Sequence, residues 1–367
     1  MQLMSDLGEK TIMSNELITL MRPEIVEMNS YSSARSVQSK KQISTNKIWL
    51  DANENPWDGK LGEQYNRYPE PQPYSLVTLL SSLYNVTPEQ LLVTRGSDEG
   101  IDLLTRLFCR AGQDKIMICP PTYGMYKVAA TIQGAEVVEV PLLKSENFSL
   151  DSKAVLTRWQ PDMKLIFLCS PNNPTGNLLA VSDVLSICKQ LEGKAIVIID
   201  EAYIEFSLTD SLSKYLGEYS NLVILRTLSK AYGLAGIRCG VTIANPIIIQ
   251  TLKKVIAPYP ISKAVAAIVC QQLNSANVNK QVQLINQEKE RLFSSLVELS
   301  CIKKVWKSKA NFLLFETSDA TKIMETCFKH GVVLRDRSRE FNLKNCIRVT
   351  IGTPNENQLF MEALSYV

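Results

Sequence analysis

Seven short apolar runs recur between residues 91 and 244: Leu91–Thr94, Ile116–Cys119, Ala135–Pro141, Leu165–Cys169, Ala195–Ile199, Leu222–Leu225 and Gly240–Ala244. Stretches with helical apolar spacing lie between several of them, at about residues 122–133 and 180–192. Another is Ile101–Arg110, where residues 101, 103, 104, 107 and 108 are apolar. Strands alternating with helices predict an α/β domain built on a mostly parallel sheet. A ligand of such a sheet sits beyond the carboxyl ends of its strands, so the polar residues that end each run are the informative ones. Here they are Gly96-Ser97-Asp98, Pro120 to Tyr123, Ser170 to Gly176, Asp200 to Tyr203 and Thr227 to Lys230.

The remainder of the chain has a different character. Residues 262 to about 299 read as a long helical stretch bent near Asn274 to Asn279. Short strands at Ala310–Phe315, Val332–Arg335 and Cys346–Thr350 surround a helix at about 319–330. That mixture fits a smaller α+β domain. The expected division is an N-terminal arm over 1–48, partly mobile over its first 30 residues, a large domain over 49–258 and a small one over 259–367. The Pro258-Tyr259-Pro260 neighbourhood marks the second boundary, and Pro69, Pro71 and Pro73 impose an extended segment within the large domain.

Composition removes several kinds of chemistry. The only histidine, His330, sits in Cys327-Phe328-Lys329-His330-Gly331, which reads as a helix C-terminus with a capping glycine. A Ser-His-Asp triad or a multi-histidine metal site is thereby excluded, and proton transfer falls to a lysine, a carboxylate or a tyrosine. The nine cysteines are scattered with no CxxC pair, which argues against zinc or a disulfide framework and for a reducing cytoplasm. A net charge of +3 without a long basic run favours neither nucleic acid nor an anionic membrane. No apolar stretch approaches the ~20 residues of a membrane span, and no signal-peptide core is evident.

The connection after Leu225 is the densest in functional groups. Two cations, Lys230 and Arg238, and two hydroxyls, Thr227 and Ser229, crowd one loop between two buried strands. They suit an anionic phosphate with one lysine left for covalent chemistry, although surface acids could equally hold such a pair. Gly96-Ser97 opens a helix, where free N–H groups make an anion site or Ser97 merely caps. Asp200 closes an apolar strand, as a turn residue or as a buried carboxylate. Together the tails answer each group of pyridoxal phosphate. Ser97, the main-chain N–H of Asp98, Thr227, Ser229 and Arg238 meet its phosphate, and Lys230 meets its aldehyde. Asp200 meets its ring nitrogen, Tyr203 and Asn172 its phenolic oxygen, and Tyr123 its ring face.

These residues also carry a family resemblance. Asp51-Ala-Asn-Glu-Asn-Pro56, Arg67-Tyr-Pro-Glu70, Ser170-Pro-Asn-Asn-Pro-Thr-Gly176, Asp200-Glu-Ala-Tyr203, Arg226 to Arg238 and Ala257-Pro-Tyr-Pro260 resemble the fold-type I pyridoxal-phosphate aminotransferases, from about Tyr31 to the end. The Asn-Glu-Asn-Pro, Arg-Tyr-Pro-Glu and Ala-Pro-Tyr-Pro blocks are similar to the branch acting on histidinol phosphate. The resemblance implies a homodimer with shared active sites, exchanging an amino group between histidinol phosphate and 2-oxoglutarate. It implies that Lys230 bonds covalently to the cofactor and that Asp200 and Tyr203 act at the ring. Tyr68 and Tyr31 are implied to come from the partner subunit, to the cofactor phosphate and over the substrate. Arg335 and Arg348 are implied to bind the substrate's anionic end, with Asn172 beside them.

Other readings stay open at this stage. A threonine-phosphate decarboxylase or an aromatic amino-acid aminotransferase would share the fold and the anion-binding arginines. A pyridoxal-dependent transcription regulator would need an N-terminal DNA-binding domain, and about 30 residues precede the first motif. A nicotinamide dehydrogenase would need a GxGxxG after an early strand, which is lacking.

Overall fold

Successive side chains of a strand point to opposite faces, so a run that is apolar throughout must be covered on both. In the computed structural model, which describes residues 16–31, 48–59, 64–273 and 275–367, that requirement builds the larger of two sheets. Its strands are β1 (Leu91–Thr94), β2 (Lys115–Ile118), β3 (Glu136–Glu139), β4 (Met163–Cys169), β5 (Ile196–Asp200), β6 (Leu222–Thr227) and β7 (Gly240–Ala244). Their order is β1-β7-β6-β5-β4-β2-β3. The pairings among β6, β5, β4, β2 and β3 are parallel, whereas β7 runs antiparallel to both β6 and β1. β5 is buried at every position, as a central strand must be. β3 is an edge, and glutamates at both its ends keep that edge from pairing further.

Each face of the sheet carries its own core. Val93, Ile166, Val197 and Ile224 pack on one face with Leu76 and Leu80 of the helix Tyr74–Tyr84 and Val184 and Ile187 of the helix Val181–Gln190. Their neighbours Leu92, Leu165, Ile198 and Val223 pack on the other, against the helices Ser97–Phe108, Met125–Gln133 and Pro246–Val255. The helix Ser97–Phe108 buries the apolar positions 101, 103, 104, 107 and 108 that its spacing singled out. Beyond Pro260, Ile261, Ala266 and Val269 still join the first core.

A second, wholly antiparallel sheet comprises β8 (Ile302–Trp306), β9 (Phe312–Thr317), β10 (Arg335–Asp336) and β11 (Cys346–Thr350), in the order β10-β11-β9-β8. The helices Ser275–Val297, Ala320–Lys329 and Pro354–Leu364 contribute to its core. The strand expected over Val332–Arg335 reduces to β10, because Gly331 turns the chain at φ +80° and Val333 is exposed. Sequence reading missed β8, whose exposed Lys303 and Lys304 interrupt the apolar pattern. It also missed the last helix, although Thr353 and Glu356 form a capping box around Pro354 there. The helix ends at His330 as expected, though His330 itself and not Gly331 is the cap residue; its Nδ1 lies 2.9 Å from the Thr326 carbonyl oxygen and its ring stacks on Tyr366.

The N-terminal segment corrects one expectation. Residues 16–27, read as part of a partly mobile arm, are docked: Leu17, Leu20, Met21 and Ile25 are buried in the second core. The Arg22 N–H donates to the Leu107 carbonyl at 3.0 Å and Lys254 Nζ donates to that of Val26 at 2.6 Å. Their spacing is helical, and that periodicity is the signal that was overlooked. The rest of the expected arm, at 1–15 and 32–47, lies outside the described residues. Among the described residues no helix is long and apolar enough to cross a membrane.

Candidate active site

Because β7 is reversed, the strands β1, β2, β4, β5 and β6 end at the rim where β7 begins. A cavity of about 660 Å³ opens there. It is lined by Ser97, Asp98, Tyr123, Asp200, Tyr203, Thr227, Ser229, Lys230 and Arg238 from the large sheet, and by Arg335, Arg337 and Arg348 from the second. Eleven of the fourteen site residues expected from the sequence therefore line one space, whereas Asn172, Tyr31 and Tyr68 line no part of it.

Asp200 sits at the floor, 3 % exposed. Its Oδ2 accepts the Tyr126 hydroxyl at 2.8 Å and its Oδ1 accepts the Ala202 N–H at 3.1 Å, so the carboxylate is held at both oxygens. Burial pushes its pKa up to about 6; these two hydrogen bonds and the charge of Lys230 oppose the rise, and Asp98 adds to it. Tyr126 is fully buried and stacks on Phe167 at 4.9 Å. No spacing rule links it to Asp200, 74 residues away.

Lys230 opens into the cavity with its Nζ 5.5 Å from the centre of the Tyr203 ring. The walls still remove enough water for burial to lower its pKa. Arg348 lowers it further, against Asp98 and Asp200, which raise it. An amine held below its ordinary value is more often free to accept a proton. Tyr203 meets Phe312 edge-on at 5.2 Å, and burial raises its hydroxyl pKa.

The anion cradle forms where the helix Ser97–Phe108 begins. Gly96 caps it at φ +79°, and a Cβ there would come within 2.7 Å of Arg238 Nη2. Arg238 Nη1 reaches Ser229 Oγ at 3.4 Å, and the Thr227 hydroxyl donates to Ser229 Oγ at 3.0 Å. Unpaired helical N–H groups beside a guanidinium and hydroxyls are a phosphate site in kind. The carboxylate of Asp98 also takes part, accepting the Tyr123 hydroxyl at 3.0 Å and lying 3.5 Å from Arg238. Behind the loop, buried Arg226 pairs with Glu205 at 2.8 Å and Glu201 at 3.5 Å, which ties the end of β6 to the segment after Asp200.

The opposite wall is a guanidinium cluster. Arg335 and Arg348 are register partners across β10 and β11. Asn173 Oδ1 accepts from Arg348 Nη1 at 2.5 Å and from Arg337 Nη2 at 3.3 Å. Neither Asn173 nor Arg337 was foreseen. Asn172 instead points into its own loop, donating to the Pro121 carbonyl at 2.8 Å and to Thr175 Oγ1 at 2.6 Å while accepting the Thr122 hydroxyl. Tyr68 is half-exposed and stacks on Tyr259, and Tyr31 is 74 % exposed. Among the described residues no group of acids, cysteines and histidines could hold a metal ion.

The model of the aminotransferase class I and II family matches residues 38–364. The chain belongs to that family. It is 42% identical over 358 residues to a histidinol-phosphate aminotransferase of Pseudoalteromonas atlantica, covering 96% of this chain and 95% of that one. It is 43% identical over 366 residues to histidinol-phosphate aminotransferase 1 of Haemophilus influenzae, covering 98% and 97%. The crystal structure of the histidinol-phosphate aminotransferase from Clostridium acetobutylicum superimposes with a TM-score of 0.75 at 26% identity, over 82% of this chain and 90% of that one. The cofactor of the class I and II aminotransferases is pyridoxal phosphate, and the donor set here fits it: an anion cradle, a buried carboxylate and an amine share one cavity.

The aminotransferase fold leaves no room at Gly240, where a Cβ would lie 2.6 Å from both the Ser97 nitrogen and the Gly96 carbonyl carbon. Gly240→Ala is expected to displace the helix start, weakening cofactor affinity about tenfold or more and costing ~1–3 kcal/mol of stability. Fluorescence titration of the cofactor-free protein and a melt test it; an unchanged affinity would show that the cradle does not depend on this approach.

Proposed function

We propose that this aminotransferase moves an amino group between histidinol phosphate and 2-oxoglutarate, alternating between the two substrates at one site. The observation that carries the reading is a second anion site, the arginines of β10 and β11, in the same cavity as the phosphate cradle and Lys230. One cradle is spoken for by the cofactor, so the other is left for an anionic substrate. The names of the curated relatives support the choice of substrate.

Bound pyridoxal phosphate supplies an aldehyde that joins amines covalently and a ring that takes up the electrons released at the substrate Cα. In our reading Lys230 is the residue joined to it in the resting enzyme. As a free amine, Lys230 Nζ would take the Cα proton, and its lowered pKa suits that task. Asp200 would face the ring nitrogen and hold its proton there, with Tyr126 and Ala202 keeping the carboxylate oriented. Tyr203 would donate to the phenolic oxygen, since burial keeps its hydroxyl protonated. Tyr123, fixed through Asp98, would cover the ring face. Ser97, the Asp98 N–H, Thr227, Ser229 and Arg238 would hold the phosphate. Arg335 and Arg348 would take the substrate phosphate in one half-reaction and a glutamate carboxylate in the other. A contact from Asn172 to the ring oxygen would have to replace one of the two hydrogen bonds its amide now donates.

We further propose a homodimer in which Tyr68 and Tyr31 complete the partner's site. Both are exposed, and Ile48, Leu50 and Trp57 of the same N-terminal region are exposed with them, apolar side chains that a partner subunit would cover. Nine free thiols suit a reducing cytoplasm.

A donor and acceptor panel tests the substrate. With 2-oxoglutarate as acceptor, kcat/KM for histidinol phosphate should exceed that for phenylalanine or tyrosine by about a hundredfold or more, the discrimination a site built around a buried polar contact achieves. Aromatic amino acids used equally well, or carbon dioxide released from O-phosphothreonine, would replace this assignment.

A further inference from the structure

We infer that Arg337 is a specificity residue of the anion site on β10 and β11, supplying the charge that favours a doubly charged phosphomonoester over a singly charged carboxylate. The inference rests on the substrate reading above and deepens it. Two arginines would suffice for a carboxylate, since one guanidinium fork already matches its two oxygens. The wall opposite the phosphate cradle holds three, Arg335, Arg337 and Arg348. Arg337 lines it and shares the acceptor Asn173 Oδ1 with Arg348, so the two guanidinium groups converge on one point. Arg335 faces Arg348 across the strand pair and donates no side-chain hydrogen bond among the described residues.

The charge count favours a dianion. Arg337 and Arg335 both act on Arg348 as like charges, and after burial the former contributes most to lowering its pKa. Among the described residues the carboxylate acting against them is Glu340, which accepts from Arg337 Nη1 at 2.5 Å. Three guanidiniums and one carboxylate leave two positive charges where the substrate's anion would rest. A phosphomonoester carries close to two negative charges above its second pKa of about 6, and a carboxylate carries one. Unused donors are at hand as well: the Nε atoms of Arg337 and Arg348 are both buried without a partner. Arg337 and Arg348 are partly buried like charges, an arrangement that an anion joining them relieves.

Glu340 makes the inference separable from a bracing role. Were Arg337 only holding Asn173 and Glu340 in place, removing either end of the pair would harm the site in the same direction. If Arg337 counts as charge, the two removals act oppositely. Holoenzyme carrying Arg337→Gln should show a KM for histidinol phosphate raised about tenfold, kcat within about threefold, and a KM for glutamate moved less than about threefold. Its inhibition constant for inorganic phosphate should rise in parallel. Glu340→Gln should lower that inhibition constant, and Arg337→Lys, which keeps the charge, should retain most of the preference. Equal increases in both KM values for Arg337→Gln, or weaker phosphate inhibition in Glu340→Gln, would overturn the inference. If the wild type proves inactive on histidinol phosphate, the substrate reading fails. The inorganic phosphate arm, run with whichever amine donor is active or as direct calorimetric binding, still decides the role of Arg337.

Discussion

Changing Lys230 to alanine is expected to lower turnover by at least about 10³-fold while leaving the fold intact. The side chain opens into the cavity and donates no hydrogen bond among the described residues, so its loss creates no orphaned partner in the core. The proton at the substrate Cα then has no acceptor. A second substitution separates charge from proton transfer. Lys230→Arg keeps a cation beside Asp98 and Asp200, but a guanidinium does not give up its proton at any working pH. It should fail as completely as the alanine variant. Steady-state assays with matched circular dichroism and melting curves test both. Either variant keeping half of the wild-type kcat would remove Lys230 from the mechanism.

The second large effect has two signs. Asp200→Asn should cut turnover by about 10²–10³-fold, the scale of losing one preorganised charge in a dry site. The same change should stabilise the cofactor-free protein near neutral pH. The carboxyl has an ordinary pKa of 3.8 and is raised by burial to about 6 in the folded chain. Between those values the folded state holds a proton that the unfolded state has lost, so stability falls as pH rises. Above about pH 6 the cost is complete, on the order of 3 kcal/mol. Asparagine carries no charge to bury and can still pair with Tyr126 and the Ala202 N–H. The cofactor-free variant should therefore melt higher than the cofactor-free wild type at pH 7–8, with the gap closing as pH falls towards 4. A variant less stable than wild type at pH 7 would show that this carboxylate is a structural anchor instead.

Lys230 and Asp200 were legible because each follows an unbroken apolar run, and in a parallel sheet that position is the ligand rim. The hydroxyls were legible for the same reason, whereas Arg238 precedes the run Gly240–Ala244 and reaches the rim because β7 is reversed. Tyr126 was not, because its hydroxyl bond to Asp200 spans two crossovers and shows in no local pattern. Asn172 and Asn173 are adjacent and chemically identical, so only the backbone path decides which amide faces the cavity. Arg337 did leave a trace: it stands two residues beyond Arg335 in an extended segment, the spacing that puts both on one side. The docked helices over residues 16–27 left one too, in the burial spacing of Leu17, Leu20, Met21 and Ile25.

The reversed β7 has a consequence for anyone wishing to rebuild this protein. Residues 228–239 leave β6 and return to the same rim, clamped at their base by the Thr227–Gly240 pair and by the Leu228 N–H donating to the Cys239 carbonyl at 3.0 Å. Amine, hydroxyl and guanidinium thus travel on one hairpin with both feet fixed. They could be exchanged between related scaffolds as a single cassette. Asp200 and Tyr123 ride on separate crossovers and would have to be transplanted one at a time.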